Sequence, residues 1–347
     1  MNVLITGGAG YIGSHTVLAL VEAGYRPVIL DNFSNSCAEA VARIRELAGD
    51  TTLPFIEADL MDREALNAVF TTYPIDAVIH FAGLKAVGES VGAPLEYYTN
   101  NIGSTMVLLE VMKHHGCFRL VFSSSATVYG MPEFLPICED HPLRSTNPYG
   151  RTKLFIEEIL RDLAFSDARW HIALLRYFNP VGAHPSGRIG ESPNGTPNNL
   201  FPCITQFAVG ARASLKILGT DYATRDGSGV RDYLHVCDLA DGHVAALNHL
   251  HQLQGAVSIN LGTGTGYSVL EVIRMFEEVS GLPIHATPEP RRPGDVAECF
   301  ADPGKAASLL GWKAKKSLRE MCRDSWNWQT LNPNGYSSTI KEMERGL

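Results

Sequence analysis

The sequence lacks several features that define other broad classes of protein. No apolar run is long enough to span a bilayer, and the net charge of -8 argues against general nucleic-acid binding, which needs a basic face. The seven cysteines are odd in number, contain no C-x-x-C pair and lack metal-ligand spacing. We therefore expect free thiols in a reducing cytoplasm, no metal site, no nucleic-acid partner and no membrane partner.

A cleaved signal segment is not expected either, because the first predicted strand begins at Val3. The chain has 347 residues and an apolar fraction of 45%. This length and composition suit two soluble domains, or one large α/β domain with an annex.

A glycine-rich turn follows the first predicted strand. The run Gly7-Gly8-Ala9-Gly10-Tyr11-Ile12-Gly13 has the spacing G-x-x-G-x-x-G and opens a helix predicted to end near Ala23. The first glycine of the spacing allows a tight turn, the second lets the backbone approach a pyrophosphate, and the third lets helix pack on strand. Asp31 ends the second predicted strand. Its carboxylate suits a ribose diol and would repel a 2′-phosphate, so NAD is favoured over NADP.

Strands and helices alternate through the first half of the chain. This alternation predicts a Rossmann-type doubly wound parallel sheet, whose ligands lie beyond the carboxyl ends of the strands. The predicted strands after the second are 53–57, 77–81, 120–122 and 171–176, and the predicted helices are 63–71, 94–114 and 149–164. We predict an NAD-binding domain over 1–180, with 235–262 returning to its sheet, and a smaller mixed α/β substrate-binding domain over 181–347.

One predicted helix start carries residues suited to proton transfer. Asn147 is a good N-cap and Pro148 fits the first helical position. Tyr149 and Lys153 are four apart and share one helix face. The ammonium and the positive helix end would lower the pKa of the phenol, so that Tyr149 could exchange a proton near neutral pH. The alternative is an ordinary surface pair.

Four other features of the sequence were considered as parts of a binding site. Three of them have both a functional and a structural interpretation, and the fourth has a structural one. Ser123 to Ser125 could bond a reacting oxygen or only satisfy a strand end, and Lys85 could meet a phosphate or solvent. Arg291 and Arg292 could clamp a diphosphate or be solvated. The glycines over 262–266 are not taken as a second nucleotide loop, because the segment 268–271 (Ser-Val-Leu-Glu) predicts a capping box that explains the turn.

Longer strings carry a family resemblance. The glycine loop, the serine run and Tyr-x-x-x-Lys together resemble the extended short-chain dehydrogenase/reductase superfamily. More closely, Phe81–Ser90, Ser123–Gly130 and Leu174–Ala183 resemble the UDP-glucose 4-epimerase family, and the similarity runs from Val3 to about Gln329.

The resemblance implies roles for matching residues. The catalytic triad would be Ser125, Tyr149 and Lys153. The NAD site would comprise Gly7, Gly10, Tyr11, Ile12, Gly13, Asp31, Asn32, Phe33, Ser34, Asn35, Ser36, Asp59, Leu60, Phe81, Ala82, Gly83, Leu84, Lys85, Asn100, Ser125, Tyr149, Lys153 and Phe178. The UDP-sugar site would comprise Ser125, Tyr149, Asn179, Asn199, Leu200, Lys216, Ile217, Leu218, Arg231, Tyr233, Arg292, Asp295 and Cys299.

The resemblance also implies an activity and an assembly. Members interconvert UDP-glucose and UDP-galactose through a 4-keto intermediate with bound NAD, and a homodimer would pair the helices predicted over 94–114 and 149–164.

Cys299 departs from the tyrosine of many bacterial relatives. Its smaller side chain would leave room for a 2-acetamido group, so UDP-N-acetylglucosamine and UDP-N-acetylgalactosamine are expected substrates as well. Alternatively, Cys299 only packs and its neighbours still block the pocket.

Three rival functions remain at this stage. A nucleotide-sugar 4,6-dehydratase would need an acid and a base after the serine run, where such families carry Asp-Glu and this chain has Ala126-Thr127. A net reductase would need an exchangeable cofactor. A non-catalytic NAD-binding regulatory protein is disfavoured because Tyr149 and Lys153 are both present.

Overall fold

A computed structural model describes residues 1–193, 195, 197, 199–292 and 294–337. The strands are β1 Asn2–Thr6, β2 Arg26–Asp31, β3 Phe55–Glu57, β4 Ala77–His80, β5 Arg119–Ser125, β6 His171–Tyr177, β7 Asn179–Val181, β8 Leu215–Leu218, β9 Val230–His235, β10 Gly255–Leu261, β11 Gly266–Ser268, β12 Ala286–Glu289 and β13 Glu298–Cys299.

The α-helices are α1 Tyr11–Glu22, α2 Ala38–Ala48, α3 Arg63–Thr72, α4 Val87–Gly92, α5 Pro94–Tyr98, α6 Ser104–His114, α7 Pro148–Ser166, α8 Leu200–Ala208, α9 Val236–His249, α10 Val269–Ser280, α11 Gly304–Leu310 and α12 Leu318–Leu331. A π turn, Thr99–Gly103, joins α5 to α6, and 3-10 turns lie at Ala126–Val128, Leu250–Gln252 and Gly335–Ser337.

The centre of the fold is a parallel sheet of seven strands, in the order β10-β6-β5-β4-β1-β2-β3. Its strands are apolar on both faces because helices cover both. Val3 and Ile5 pack with residues of α1 and α9, whereas Leu4 packs with residues of α3, α6 and α7. Burial of both faces explains near-continuous apolar runs rather than strict alternation. The predicted Rossmann-type sheet is confirmed, and β10 adds the expected returning strand.

The rest of the chain builds smaller sheets beyond the carboxyl ends of the main strands. β9 pairs with β7 and β13 in parallel and with β11 in antiparallel, and β8 pairs with β12. The capping box between Ser268 and Glu271 is present and starts α10, as the sequence predicted. The proposed division at residue 180 stays a prediction, and residues 338–347 of the second predicted domain lie outside the described part of the chain.

The prediction of one continuous helix over 94–114 was wrong. The sequence indicated a single helix over 94–114, but a π turn interrupts it at Thr99–Gly103. The buried side chain of Asn101 lies in this turn and bonds the backbone of Leu84 instead of solvent. The widened turn thus coincides with tertiary hydrogen bonds of Asn101, and turns of this kind are frequent at functional sites.

Within the described residues, no helix combines the length and the apolarity needed to cross a membrane.

Candidate active site

The glycine turn forms a cradle between β1 and α1. Gly7 has a φ of 69°, and a Cβ added there would lie 2.7 Å from the backbone nitrogen of Ala82. A Cβ on Gly13 would lie 2.3 Å from the carbonyl oxygen of Gly7, so the helix packs directly on the turn. Gly10 is the N-cap and provides no side-chain cap, which leaves the first N–H groups of α1 for an anion. This arrangement fits a dinucleotide pyrophosphate.

Asp31 connects this turn to the segment that follows β2. Its Oδ2 accepts a hydrogen bond from the backbone of Ala9 at 3.0 Å, and its Oδ1 accepts from Phe33 N at 3.0 Å and Ser36 Oγ at 2.7 Å. Asn32 donates to Asp59 at 2.7 Å. The structure thus brings the predicted NAD residues of 31–36 and 59 to one edge of the sheet.

The loop after β4 lies against the same edge. The backbone nitrogens of Phe81 and Ala82 both donate to the Thr6 carbonyl, at 3.0 and 3.1 Å. Asn101 holds the next part of the loop: its Oδ1 accepts from Leu84 N at 2.8 Å and its Nδ2 donates to Leu84 O at 3.0 Å. The family resemblance implied the neighbouring Asn100 and not Asn101. The available signal was a pair of adjacent asparagines inside a predicted helix.

The helix that bears Tyr149 starts as predicted. Asn147 Oδ1 accepts from Gly150 N at 2.9 Å, and Pro148 occupies the first turn. Ser125, at the end of β5, accepts from the backbone nitrogen and the hydroxyl of Thr127 at 3.2 and 3.0 Å. The Ser125 hydroxyl also acts on the Tyr149 phenol, whose pKa it lowers.

Lys153 lies one turn further along the same helix and is buried. Its Nζ donates to the carbonyl of Ser123 at 2.7 Å and lies 4.9 Å from the ring centroid of Phe122 and 6.0 Å from that of Tyr149. Burial lowers the pKa of Lys153 to about 8. Ser125, Tyr149 and Lys153, from two distant parts of the chain, therefore meet at the carboxyl edge of the sheet.

The expected direction of the Tyr149 pKa was wrong for the protein without ligands. Burial raises the pKa of Tyr149, and the hydrogen bond from Ser125 lowers it only in part. The Lys153 ammonium is directed at the Ser123 carbonyl instead of at the phenol. Helix spacing correctly placed the two side chains on one face. It does not show how strongly burial raises the pKa of the phenol compared with how far the ammonium lowers it.

The lowered pKa of Lys153 makes a prediction about stability. In an unfolded chain the pKa of lysine is about 10.4, so between pH 8 and 10 the unfolded state binds more protons than the folded state. The free energy of unfolding should then rise with pH, by about 1 kcal/mol per pH unit from this group. Denaturant titrations of nucleotide-free protein should show this rise relative to Lys153→Met.

The exposed Lys113→Met variant serves as the control and should follow the wild type at each pH. If the free energy of unfolding changed with pH in the same way for the wild type and Lys153→Met between pH 8 and 10, the lowered pKa of Lys153 would be contradicted.

The predicted sugar-site residues gather around β9. The Arg231 guanidinium donates to Asp295 at 2.9 Å. Cys299 on β13 is in register with Arg231, and Asn179 on β7 is in register with Tyr233. The sheets thus bring five predicted residues together from three segments of the chain.

Cys299 also faces the catalytic end of the main sheet. It packs on the apolar cluster that contains Phe178, together with Ala126, which directly follows Ser125. Burial raises the pKa of its thiol to about 11, so the side chain is a small neutral group at neutral pH.

The segment before α8 contacts the cofactor loop. Asn199, the N-cap of α8, donates to Glu191 Oε1 at 2.9 Å, and Lys85 Nζ lies 3.4 Å from the same oxygen. Leu200 begins α8 beside this contact. Sequence analysis did not identify Glu191, because a carboxylate in a Pro- and Gly-rich loop carries no local signal.

Other predicted substrate residues lie further out. Lys216, Ile217 and Leu218 lie on β8, where Lys216 pairs with Glu289 at 3.1 Å. Arg291 does not join a paired clamp: it donates to Asp221 at 2.7 Å. Arg292 remains the predicted phosphate contact, and Pro293 of the same turn lies outside the described residues.

A parallel Rossmann-type sheet with a glycine cradle and a Ser–Tyr–Lys centre defines an NAD-type short-chain dehydrogenase/reductase of the extended class. The family model described as GDP-mannose 4,6 dehydratase matches residues 4–325. The UDP-glucose 4-epimerase of Bacillus subtilis (strain 168) is 61% identical over 338 residues, which cover 97% of this chain and 99% of that protein. The chain belongs to the UDP-glucose 4-epimerase family.

Solved structures agree with this assignment. The UDP-glucose 4-epimerase of Bifidobacterium longum, solved in complex with NAD+ and UDP, has a TM-score of 0.93 and 52% identity, with 96% of this chain and 100% of that chain covered. The UDP-Glc/GlcNAc 4-epimerase of Campylobacter jejuni has a TM-score of 0.82 and 36% identity, with 95% and 99% covered.

Proposed function

We propose that this protein is an NAD-dependent UDP-hexose 4-epimerase that interconverts UDP-glucose and UDP-galactose. The observation that carries the proposal is the arrangement of Ser125 at the end of β5, with Tyr149 and the buried Lys153 at the start of α7, at the same sheet edge as the glycine cradle. The high identity to epimerases over nearly the full length of both chains supports it.

The residues of this chain fit NAD. The cradle at Gly7, Gly10 and Gly13 would hold the pyrophosphate, Asp31 the adenosine ribose, and Lys153 the nicotinamide ribose. NAD, when bound, supplies a hydride acceptor and a positively charged ring, whose charge favours the Tyr149 phenolate that burial alone disfavours.

The catalytic side chains would handle the proton. Tyr149 would take the proton of the sugar O4 hydroxyl while C4 gives up its hydrogen as hydride to the acceptor that NAD supplies, and Ser125 would donate a hydrogen bond to the same oxygen. The 4-keto hexose then turns about its diphosphate link and presents its other face. The hydride then returns to C4 from the opposite face, which inverts this carbon, and Tyr149 returns the proton to O4, which regenerates the starting state of the enzyme.

The nucleotide end of the substrate would be held firmly and the hexose loosely. Arg231 and Arg292 suit the two phosphates by charge-assisted bonds, while Asn179 and Asp295 suit polar groups of the nucleotide and sugar. Because Asp295 already pairs with Arg231, the diphosphate would join an existing ion pair rather than a free guanidinium.

The test uses purified protein with no added cofactor. UDP-galactose is supplied, and the nucleotide sugars are separated and identified. Conversion to UDP-glucose without added NAD is the expected result, because the cofactor is regenerated in each cycle and should stay bound. Loss of water to a deoxy-keto sugar would indicate a dehydratase, and no reaction even with added NAD would overturn the proposal.

We also propose that the pocket accepts the two N-acetylated UDP-hexoses. Cys299 is in register with Arg231 and packs on the same apolar cluster as Ala126, so a small neutral side chain connects the nucleotide end with the catalytic end. The Campylobacter jejuni relative, named as a UDP-Glc/GlcNAc epimerase, makes such a substrate reasonable within the family.

Cys299→Tyr should separate the two substrate classes. The larger ring would occupy the space for the 2-acetamido group, so kcat/KM for UDP-N-acetylgalactosamine should fall by about 100-fold, whereas that for UDP-galactose should change by less than about threefold. Cys203→Tyr, at a partly buried thiol of α8, is the matched control. An unchanged ratio of the two kcat/KM values in Cys299→Tyr would remove Cys299 from this role.

A homodimer is also proposed, through the face that α4, α5 and α7 share. Leu95 is 77% exposed, Val91 65% and Phe155 46%, which is unusual for large apolar side chains grouped on neighbouring helices. A second copy of the chain would cover them.

The cytoplasmic location stays a prediction from the cysteine pattern.

A further inference from the structure

One carboxylate connects the predicted cofactor loop with the predicted substrate segment. Glu191 lies between β7 and α8, and its side chain is only 10% exposed. Its Oε1 accepts a hydrogen bond from Asn199 Nδ2 at 2.9 Å and lies 3.4 Å from the Nζ of Lys85. Lys85 lies between β4 and α4, and Asn199 is the N-cap of α8. Two segments of the chain, with Lys85 and Glu191 106 residues apart, therefore meet at one oxygen atom.

The backbone that carries this carboxylate is held by α12. The indole Nε1 of the buried Trp328 donates to the Glu191 carbonyl at 3.1 Å. A Cβ added to Gly190 would lie 2.5 Å from the same indole ring, so the two segments are in direct contact. Because these contacts are made by the backbone, replacing the Glu191 side chain leaves them in place.

The chemistry of the three groups sets the direction of both bonds. A carboxylate oxygen only accepts, so Asn199 presents its Nδ2 to Glu191 and keeps its Oδ1 and its second N–H for a ligand. The ammonium of Lys85 has three N–H donors, and one of them directed at Glu191 leaves two for a phosphate. Neither partner therefore has to leave Glu191 when a ligand binds.

We propose that Glu191 is a positioning residue that holds Lys85 and Asn199 on one carboxylate oxygen, so that the cofactor loop orders the amide that receives the UDP-sugar. This inference rests on the proposed epimerase function, in which Lys85 contacts the cofactor and Asn199 the substrate. In that function NAD stays bound while UDP-sugars come and go. An occupied cofactor site would then keep Asn199 ready for each new substrate.

The physical reason is the conformational entropy of the two side chains. Lys85 is half-exposed, and a lysine or an asparagine that is free in solvent loses rotamer freedom when a ligand binds to it. The bonds to Glu191 move this loss from binding to folding. The nearly buried carboxylate in turn needs its partners, because a desolvated charge without them is unfavourable, so the connection persists in the folded protein.

The first test is the affinity for UDP, measured by calorimetric titration with NAD at saturation. Glu191→Leu should raise the Kd of UDP by about tenfold, an effect of the size of one hydrogen bond. In assays with UDP-galactose the loss should appear in KM, with kcat within about threefold of the wild type, because Glu191 touches neither Ser125 nor Tyr149 in this account. Glu191→Gln, whose carbonyl oxygen accepts from the same donors, should keep Kd within about threefold of the wild type.

A double-mutant cycle separates this role from simple packing. Lys85→Met should raise the Kd of UDP by about threefold in the wild type, but by less than about 1.5-fold in Glu191→Leu or in Asn199→Ala, because the connection is already broken there. An equal effect of Lys85→Met in all three backgrounds would show that Lys85 acts on UDP without Glu191, and would overturn the proposal. The Asn199→Ala background decides the matter even if Glu191→Leu does not fold.

Glu278→Leu is the matched control. Glu278 of α10 forms an ion pair with Arg319 of α12 at 2.6 Å, and its side chain is 57% exposed and outside the predicted site. The variant should leave the Kd of UDP and the KM unchanged. An equal rise of Kd in Glu278→Leu, or no rise in Glu191→Leu, would reduce Glu191 to a loop residue without a role in binding.

The same titrations distinguish this inference from the proposed function. A wild type that binds UDP but leaves UDP-galactose unchanged would reject the epimerase, while the Kd values would still decide the role of Glu191. A wild type that binds no UDP in the presence of NAD would overturn both.

Discussion

Tyr149→Phe is expected to lower kcat by about 10²–10⁴-fold while the protein still binds UDP-sugars. The variant removes one oxygen and keeps the ring, so the proton carrier is lost but the first turn of α7 is not. Stopped and steady-state assays with UDP-galactose give the rate, and calorimetric titration with UDP gives the affinity.

Tyr73→Phe is the matched control, since Tyr73 is the C-cap of α3, outside the predicted site. It should retain the wild-type rate. If Tyr149→Phe turned over within about tenfold of the wild type, another group would have to carry the proton and Tyr149 would lose its assigned role.

The second large effect is expected on stability, from a buried ion pair behind the site. Glu157 lies one turn after Lys153 on α7 and binds Arg176 of β6 through two bonds, of 2.9 and 2.6 Å. Ser124 donates to the same carboxylate at 2.5 Å. Burial alone would raise the pKa of Glu157, but these bonds, chiefly those of Arg176, outweigh it and lower the pKa. The pair therefore ties α7 to both strands that border the catalytic edge.

Glu157→Leu should lower the free energy of unfolding by about 3–5 kcal/mol, because it leaves the Arg176 guanidinium buried without its counter-charge. Glu157→Leu combined with Arg176→Met should recover most of the loss, since an apolar pair of similar volume is often neutral. Urea denaturation at pH 7 measures both. Because the folded-state pKa of Glu157 is lowered, its contribution should be present above about pH 4.5 and disappear as the pH falls further.

Glu158→Leu is the matched control, one residue further on the same helix but 59% exposed. It should leave the stability almost unchanged, because exposed ion pairs contribute little. A double variant that is as unstable as Glu157→Leu would show that the network, including Ser124, matters more than the uncompensated charge.

The sequence alone determined those parts of the fold that depend on neighbours within a few residues. The glycine spacing required the turn between β1 and α1, Asn147 and Ser268 started their helices by bonds three residues long, and apolar runs indicated buried strands. The parallel sheet followed, because alternating strands and helices have few ways to bury both faces of a sheet. The candidate site could be predicted from the sequence for the same reason. Its residues lie at the carboxyl ends of parallel strands, and these ends lie along one edge of the sheet.

The tertiary structure decided what depends on partners far along the chain. Burial reversed the expected direction of the Tyr149 pKa, and a π turn replaces regular helix where Asn101 bonds the backbone of Leu84. Likewise, the pairing of Glu191 with Lys85, 106 residues away, joins two predicted ligand segments that no local pattern relates. Desolvation and the choice of hydrogen-bond partner are properties of the packed interior, and a sequence pattern of a few residues contains neither.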